Sequence, residues 1–158
     1  MAFNAAVKTE LDNIGAGEII DSSPNNTSAY PTFENGITGG RFIKFDANSI
    51  DKLDGSATPK IAGVVRRKLT SELNVNIYSS ENGDQVSEIA DFGYVTVEVT
   101  DAASPSKRAP VYAINVDSVE SGKATQDSGA TGAVLVPDVV FWEEKAAGVW
   151  LVRINKYL

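Results

Sequence analysis

The sequence contains no cysteine and no histidine. Without cysteine there is no disulfide and no thiol nucleophile, and without histidine there is no imidazole to carry protons near neutral pH. Zinc sites built from these residues are excluded, as are Ser-His-Asp and Cys-His catalytic arrangements. Because most of the usual catalytic groups are missing, the sequence predicts a non-enzymatic protein that acts by binding.

Positive charge and long apolar runs are also scarce. Against 21 Asp and Glu the chain has 14 Lys and Arg, which gives its 158 residues a formal net charge of −7 at pH 7. Such a chain repels phosphate backbones, so nucleic acid is not an expected partner. No run approaches the roughly 18–20 apolar residues of a membrane-spanning helix. Residues 1–8 (MAFNAAVK) do not resemble a secretory signal, so we expect no membrane partner and no export by that route.

The N-terminal residues differ in composition from the rest of the chain. Residues 9–40 contain five acidic residues and no basic one. Val7, Leu11 and Ile14 recur at helical spacing, which predicts a short amphipathic helix that needs a surface to lie on. The Ser-, Asn- and Pro-rich segment that follows is typical of turns and extended chain. We predict an N-terminal arm over residues 1–31 and a β domain over residues 32–158.

From residue 41 onward, alternating apolar and polar residues predict β-strands. In residues 94–100 (YVTVEVT) three valines point to one side, and Thr96 and Glu98 point to the other. Further strands are predicted at residues 74–78, 111–115, 132–136, 139–142 and 149–154, the last two covered on both faces. Glycine-containing turns separate strands roughly every 10–15 residues, which favours an all-β fold, an antiparallel β-barrel or a jelly-roll-like sandwich.

Carboxylates are the remaining candidates for catalysis or metal binding. Glu143 and Glu144 are adjacent, so in a strand they point to opposite faces and cannot flank one substrate bond. Residues 46–51 (DANSID) begin like a calcium loop, but Ile50 stands where a third oxygen ligand belongs. No glycine cluster is followed by the Gly-Lys-Ser/Thr of a phosphate-binding loop. The sequence therefore predicts no catalytic, metal-binding or cofactor-binding residue.

Basic and aromatic residues suggest two binding features. Residues 66–68 (RRK) form a dense basic cluster, explained either by a solvated edge strand protected by charge or by an ion-pairing patch against an acidic protein. Trp142 and Trp150 would suit sugar stacking in a carbohydrate-binding β-sandwich or a carboxylate-only glycosidase. Both stand in strongly apolar runs, however, so we expect them to pack in the core.

Several short motifs follow one another in a recognisable order. They are residues 33–37 (FENGI), 61–66 (IAGVVR), 83–86 (GDQV) with 93–99 (GYVTVEV), and 110–112 (PVY) with 129–133 (GATGA). This order, over residues 33–158, resembles that of the small cement, or decoration, proteins of tailed-bacteriophage capsids. The first 30 residues match no pattern of that family.

The resemblance implies a protein made in the host cytoplasm that binds the outer capsid surface between capsomers and stabilises the shell. Its partners would be the major capsid protein and further copies of itself, as a dimer or trimer. The residues we favour for these interfaces are Phe3, Val7, Leu11, Ile14, Arg41, Arg66 and Arg67. Another virion part, such as a tail or baseplate adaptor domain, is an alternative with the same lack of catalytic chemistry.

Overall fold

All regular structure in the described part of the chain is β. The computed structural model describes residues 16–17, 26–32, 37–47, 49–66, 77–78, 85–100 and 105–156. Its strands are β1 (Asn26–Thr32), β2 (Ile37–Thr38), β3 (Phe42–Asp46), β4 (Ser49–Lys52), β5 (Ile61–Val65), β6 (Ile77–Tyr78), β7 (Gln85–Glu98), β8 (Pro110–Ile114), β9 (Ala124–Thr125), β10 (Ala133–Ala146) and β11 (Val149–Ile154). The all-β prediction is confirmed, whereas the predicted N-terminal helix lies outside the described residues. These ranges contain no helix that would cross a bilayer.

Nine strands form one curled, largely antiparallel sheet that makes a half-barrel. The hydrogen-bonded order is β1-β4-β3-β5-β7-β11-β10-β8-β9, and β2 pairs separately with β6. β1 also pairs with β7, from Asn26 opposite Phe92 to Thr32 opposite Gln85. At the other end, a single bridge joins Val99 to Ala124 of β9. Both ends of the curled sheet therefore pair with residues 85–99, which are β7 and the residue that follows it.

β7 changes its neighbours near its middle. Its first half pairs with β1 and β5, and its second half pairs with β11. Gly93 lies at the change with a φ of +96°, a conformation that glycine adopts without steric cost. Beyond it, Val95, Val97 and Val99 are at most 4% exposed. Their predicted alternation into the core is confirmed.

Two hydrophobic clusters share β3 and β5. The larger contains Phe42 and Val64, together with residues of β7, β8, β10 and β11, and the smaller contains Ile43 and Val65. Adjacent strand residues point to opposite faces, so β3 and β5 lie between the two clusters. Every residue of β5 is buried. The sheet is thus supported from both sides at this point, which makes it a stiff scaffold.

Two expectations about the strands need correction. Residues 132–136 and 139–142 were predicted as two strands, but one strand, β10, begins after Gly132 and continues through exposed Pro137 and Asp138. β10 and β11 are not covered on both faces, because Arg153 is exposed and Trp142 is half-buried. Arg66 directly follows β5, which lies between β3 and β7, and the rest of the basic cluster lies outside the described residues.

Candidate functional site

The outer face of the half-barrel carries a cluster of cationic and aromatic side chains. We call it the cation–aromatic patch, and it consists of Tyr94, Lys107, Trp142 and Arg153. Strand alternation explains its position. Val95 and Val152 are fully buried in the core, so their neighbours Tyr94 and Arg153 point to the opposite face. The register of β7 and β11 then places Arg153 directly opposite Tyr94.

Two cations converge on one indole ring in this patch. The Lys107 Nζ lies 4.7 Å from the centroid of the Trp142 ring, and the Arg153 Cζ lies 5.7 Å from it. Tyr94 meets Trp142 edge to face, with 5.7 Å between ring centroids. Each cation–π contact stabilises by about 0.5–1 kcal/mol at an exposed site. The contacts therefore favour a defined arrangement of otherwise flexible cationic side chains.

Trp142 points outward by strand alternation, because Val139 and Phe141 on the other face of β10 are buried, and a β-bulge follows Phe141. Phe141 pairs with Val152 and Glu143 with Leu151, so Trp142 is an extra residue between consecutive pairs. Such a bulge increases the local twist of the strand. The expectation that Trp142 packs in the core is therefore wrong. Two cationic side chains already lie over its ring, whereas a sugar stacks on an aromatic ring whose face is uncovered.

Trp150, unlike Trp142, packs against the core as predicted. It packs against the larger hydrophobic cluster and meets the buried Phe141 edge to face, with 5.8 Å between ring centroids. The two tryptophans thus lie in similar apolar runs but in different environments.

The patch is locally positive in a chain of net negative charge. Seven of the eleven Lys and Arg residues that the structure describes form ion pairs. The other four, which have no ion pair with a described residue, are Lys60, Lys107, Arg108 and Arg153. Arg108 lies beside the patch, because its backbone N–H donates to the Phe141 carbonyl at 2.6 Å. Three of these four cations therefore share one region.

A carboxylate close to the patch is already engaged. Glu143 accepts a hydrogen bond of 2.6 Å from Lys145, which lowers the pKa of Glu143, with a smaller contribution from the charge of Lys107. The ion-pair partner of Glu143 is thus Lys145, a cation outside the patch. Arg153 has no carboxylate partner among the described residues and can bind one from another protein.

The guanidinium of Arg41, unlike that of Arg153 in the patch, is bound by acceptors within the chain. Its Nε lies 2.6 Å from the Glu98 Oε2, and its Nη1 donates to the carbonyls of Val119 and Ser121 at 2.6 and 3.2 Å. Ser121 also donates from its hydroxyl to the Leu53 carbonyl at 2.5 Å. Arg41 therefore fastens the turn that follows β8 to the end of β7.

A cleft of about 550 Å³ lies beside Arg41. Its lining includes Ile37 and Ile43, and Val119 at its edge is 80% exposed. Lys52 of the lining pairs with Asp117 at 2.9 Å, as Arg41 pairs with Glu98. The charges of the cleft are thus neutralised in pairs. Within the described ranges, no three acidic side chains converge as a metal site requires.

The remaining predicted contact residues fall into two groups. Arg66 pairs with Glu88 at 2.6 Å, and its backbone N–H donates to the Glu88 carbonyl at 2.9 Å. Arg41 and Arg66 are thus ion-paired with Glu98 and Glu88 of β7, and neither pair includes a member of the cation–aromatic patch. The others lie outside the described residues and stay predictions: Phe3, Val7, Leu11, Ile14 and Arg67.

Sequence reasoning did not identify the cation–aromatic patch, because its members come from two strands, a bulge and a turn. One local signal was available. Arg153 interrupts the apolar run of residues 149–154 (VWLVRI), and a charged residue in such a run marks a face that solvent or a partner reaches.

Comparisons with known proteins point to a phage capsid. Residues 4–156 match the family described as XM1 gp53 minor capsid protein. A chain in the solved structure of the capsid of Myoviridae phage XM1 is 59% identical over 100% of both chains, with a TM-score of 0.87. No curated protein matches this sequence.

Proposed function

The chain belongs to the XM1 gp53 minor capsid protein family, and on this basis we propose that it is a non-enzymatic virion protein. It binds the outer surface of a phage capsid between capsomers and stabilises the shell. The observation that carries the proposal is the 59% identity, over the whole of both chains, to a chain of a phage capsid structure. The lack of cysteine and histidine supports a role in adhesion.

A protein that bridges shell subunits needs a stiff body, and the fold provides one. β5 is buried throughout between two hydrophobic clusters, and Arg41 fastens an exposed turn to β7. A capsid repeats each binding site many times, so self-association as a dimer or trimer would add avidity to modest individual contacts. Arg41 and Arg66 are the arginines of our predicted interface that the structure describes, at side-chain exposures of 20% and 36%.

We assign the arm a share of the contact with the shell, through Phe3, Val7, Leu11 and Ile14. Part of the arm is continuous with the sheet, because residues 26–31 belong to β1 and the Gly17 N–H donates to the Thr96 carbonyl at 2.7 Å. Deleting residues 1–31 would therefore remove most of a paired strand. A truncation of residues 1–15 leaves every described contact in place. Its effect on attachment to shells can therefore be measured without a loss of folding.

Co-sedimentation tests this function. The full chain is mixed with empty shells of its phage that lack it, and the bound fraction is measured at increasing protein concentration. We expect saturable binding, and shells that withstand a higher temperature once they are decorated. The 1–15 truncation should fold with an unchanged melting temperature and bind the shells more weakly than the full chain. If the full chain fails to sediment with shells at any concentration, the proposed function is wrong.

A further inference from the structure

We propose that the cation–aromatic patch docks a carboxylate-bearing segment of the protein that forms the shell. The inference rests on the proposed function, since it names the partner chemistry and the surface through which this chain attaches. It concerns Tyr94, Trp142 and the cations beside them, none of which is among the interface residues predicted from the sequence.

Charge complementarity is the first argument. Most described cations are neutralised by a carboxylate within the chain, but Lys107, Arg108 and Arg153 have no ion pair with a described residue. In a chain of net charge −7, a positive region of this kind is an exception. An arginine guanidinium binds a carboxylate through two parallel hydrogen bonds, which favours an acidic partner.

Preorganisation is the second argument. Arg153 lies 5.8 Å from the Tyr94 ring centroid and 5.7 Å from that of Trp142, and Lys107 lies over the same indole. Side chains already held in one arrangement lose less conformational entropy on binding. Trp, Tyr and Arg are also the residues that most often dominate the binding energy of protein interfaces.

The position of the patch is the third argument. Arg153 belongs to β11, which lies between β7 and β10 and is hydrogen-bonded on both sides. Its backbone is therefore fixed from both edges, and the side chain points to the outer face. A docked segment would meet a stiff surface, as a stabilising contact requires.

The patch fits a protein better than a nucleic acid. Three cations would neutralise about three phosphates, and that number gives weak, strongly salt-dependent binding. The remainder of a chain with a charge of −7 would repel the same polyanion. A short acidic protein segment presents carboxylates without that extended repulsion.

The matched variants are K107Q and K60Q in the full chain. Each removes one lysine that lies over an aromatic ring, Lys107 over Trp142 and Lys60 over Phe45, and neither lysine forms an ion pair with a described residue. A third variant, K107Q/R153Q, removes both cations of the patch. All three leave the aromatic rings in place, and their melting temperatures are compared with that of the parent chain before binding is measured.

Affinity for empty shells is measured by titration at several salt concentrations. We expect K107Q/R153Q to bind at least about tenfold more weakly with a shallower salt dependence, K107Q to be intermediate, and K60Q to stay within about twofold of the parent. A polyglutamate peptide should compete with the shells for the parent chain. If the parent binds shells and K107Q/R153Q binds equally well, the patch is not the docking surface, while the proposed function stands.

Two other results would also overturn the inference. If duplex DNA binds the parent chain and K107Q/R153Q abolishes that binding, the patch recognises nucleic acid. If K107Q/R153Q changes the sedimentation coefficient of the free protein but not its affinity for shells, the patch joins copies of this chain. If the parent itself does not bind shells, the proposed function fails first, and the two failures are therefore distinguishable.

Discussion

Arg41 and Glu98 form an ion pair of 2.6 Å that joins the start of β3 to the end of β7. The same guanidinium donates to two carbonyls of the turn after β8, at Val119 and Ser121. One side chain thus connects three parts of the fold. This arrangement makes Arg41 a stabilising residue, in addition to any contact that it makes in the capsid.

Replacing Arg41 should therefore destabilise the protein more than replacing a similar exposed arginine. R41Q leaves a half-buried carboxylate and two carbonyls without their donor, and we expect a loss of about 1–3 kcal/mol in the free energy of unfolding. R66Q breaks the more exposed pair with Glu88 and should cost less than about 1 kcal/mol. Urea denaturation of both variants measures the difference, and equal losses would contradict this role for Arg41.

Gly122 is required for close packing as well as for its backbone conformation. Its φ is +75°, and a Cβ there would overlap the carbonyl oxygen of Phe42. Gly148, in the turn between β10 and β11, has a φ of +72° with no atom within 4 Å of such a Cβ. G148A should cost about 1–2 kcal/mol through its backbone conformation alone, and G122A should cost clearly more. Equal melting temperatures for the two variants would show that the predicted overlap has no consequence.

Asp54 should make stability depend on acid pH. Its carboxylate lies 2.7 Å from the Lys44 Nζ and also accepts from the Ser56 N–H, which together hold the pKa of Asp54 well below its ordinary value. A lowered folded-state pKa stabilises the protein above the unfolded-state pKa of about 4, and this contribution is lost as the pH falls further. D54N should be less stable than the parent at pH 7 by under about 1 kcal/mol, because the pair is partly exposed.

Denaturation curves at pH 7 and at pH 2–3 check this prediction. The gap between D54N and the parent should narrow at the lower pH and also at high salt. A gap that stays constant with pH would assign the effect of D54N to packing rather than to the charge of Asp54.

Local patterns predicted the parts of the fold that depend on period-2 alternation. Residues 149–154 form β11 at the predicted bounds, and the three valines of β7 enter the core. The similarity to phage capsid proteins, predicted from short motifs, is confirmed at the level of the family. Residues 132–136 and 139–142 were predicted as separate strands, whereas β10 continues through Pro137 and Asp138 between them.

Composition and residue spacing could not predict the contacts between residues that are distant in the sequence. Arg41 was predicted as a bridge to a partner, and its ion-pair partner Glu98 is 57 positions away in the chain. The cation–aromatic patch joins residues 94, 107, 142 and 153, which the strand register and the turn before β8 bring together. A continuous apolar run such as residues 139–142 does not reveal that one of its faces is open, because a strand covered on both faces has the same composition.

The proposed function requires that this protein attach to the outside of a capsid. The most direct test is cryo-electron microscopy of empty shells of its phage that lack the protein, imaged with and without the purified full chain. We predict additional density at regularly repeated positions on the outer surface between capsomers, into which the half-barrel fits. Shells that remain bare at saturating protein, or density confined to the inner surface, would contradict the account.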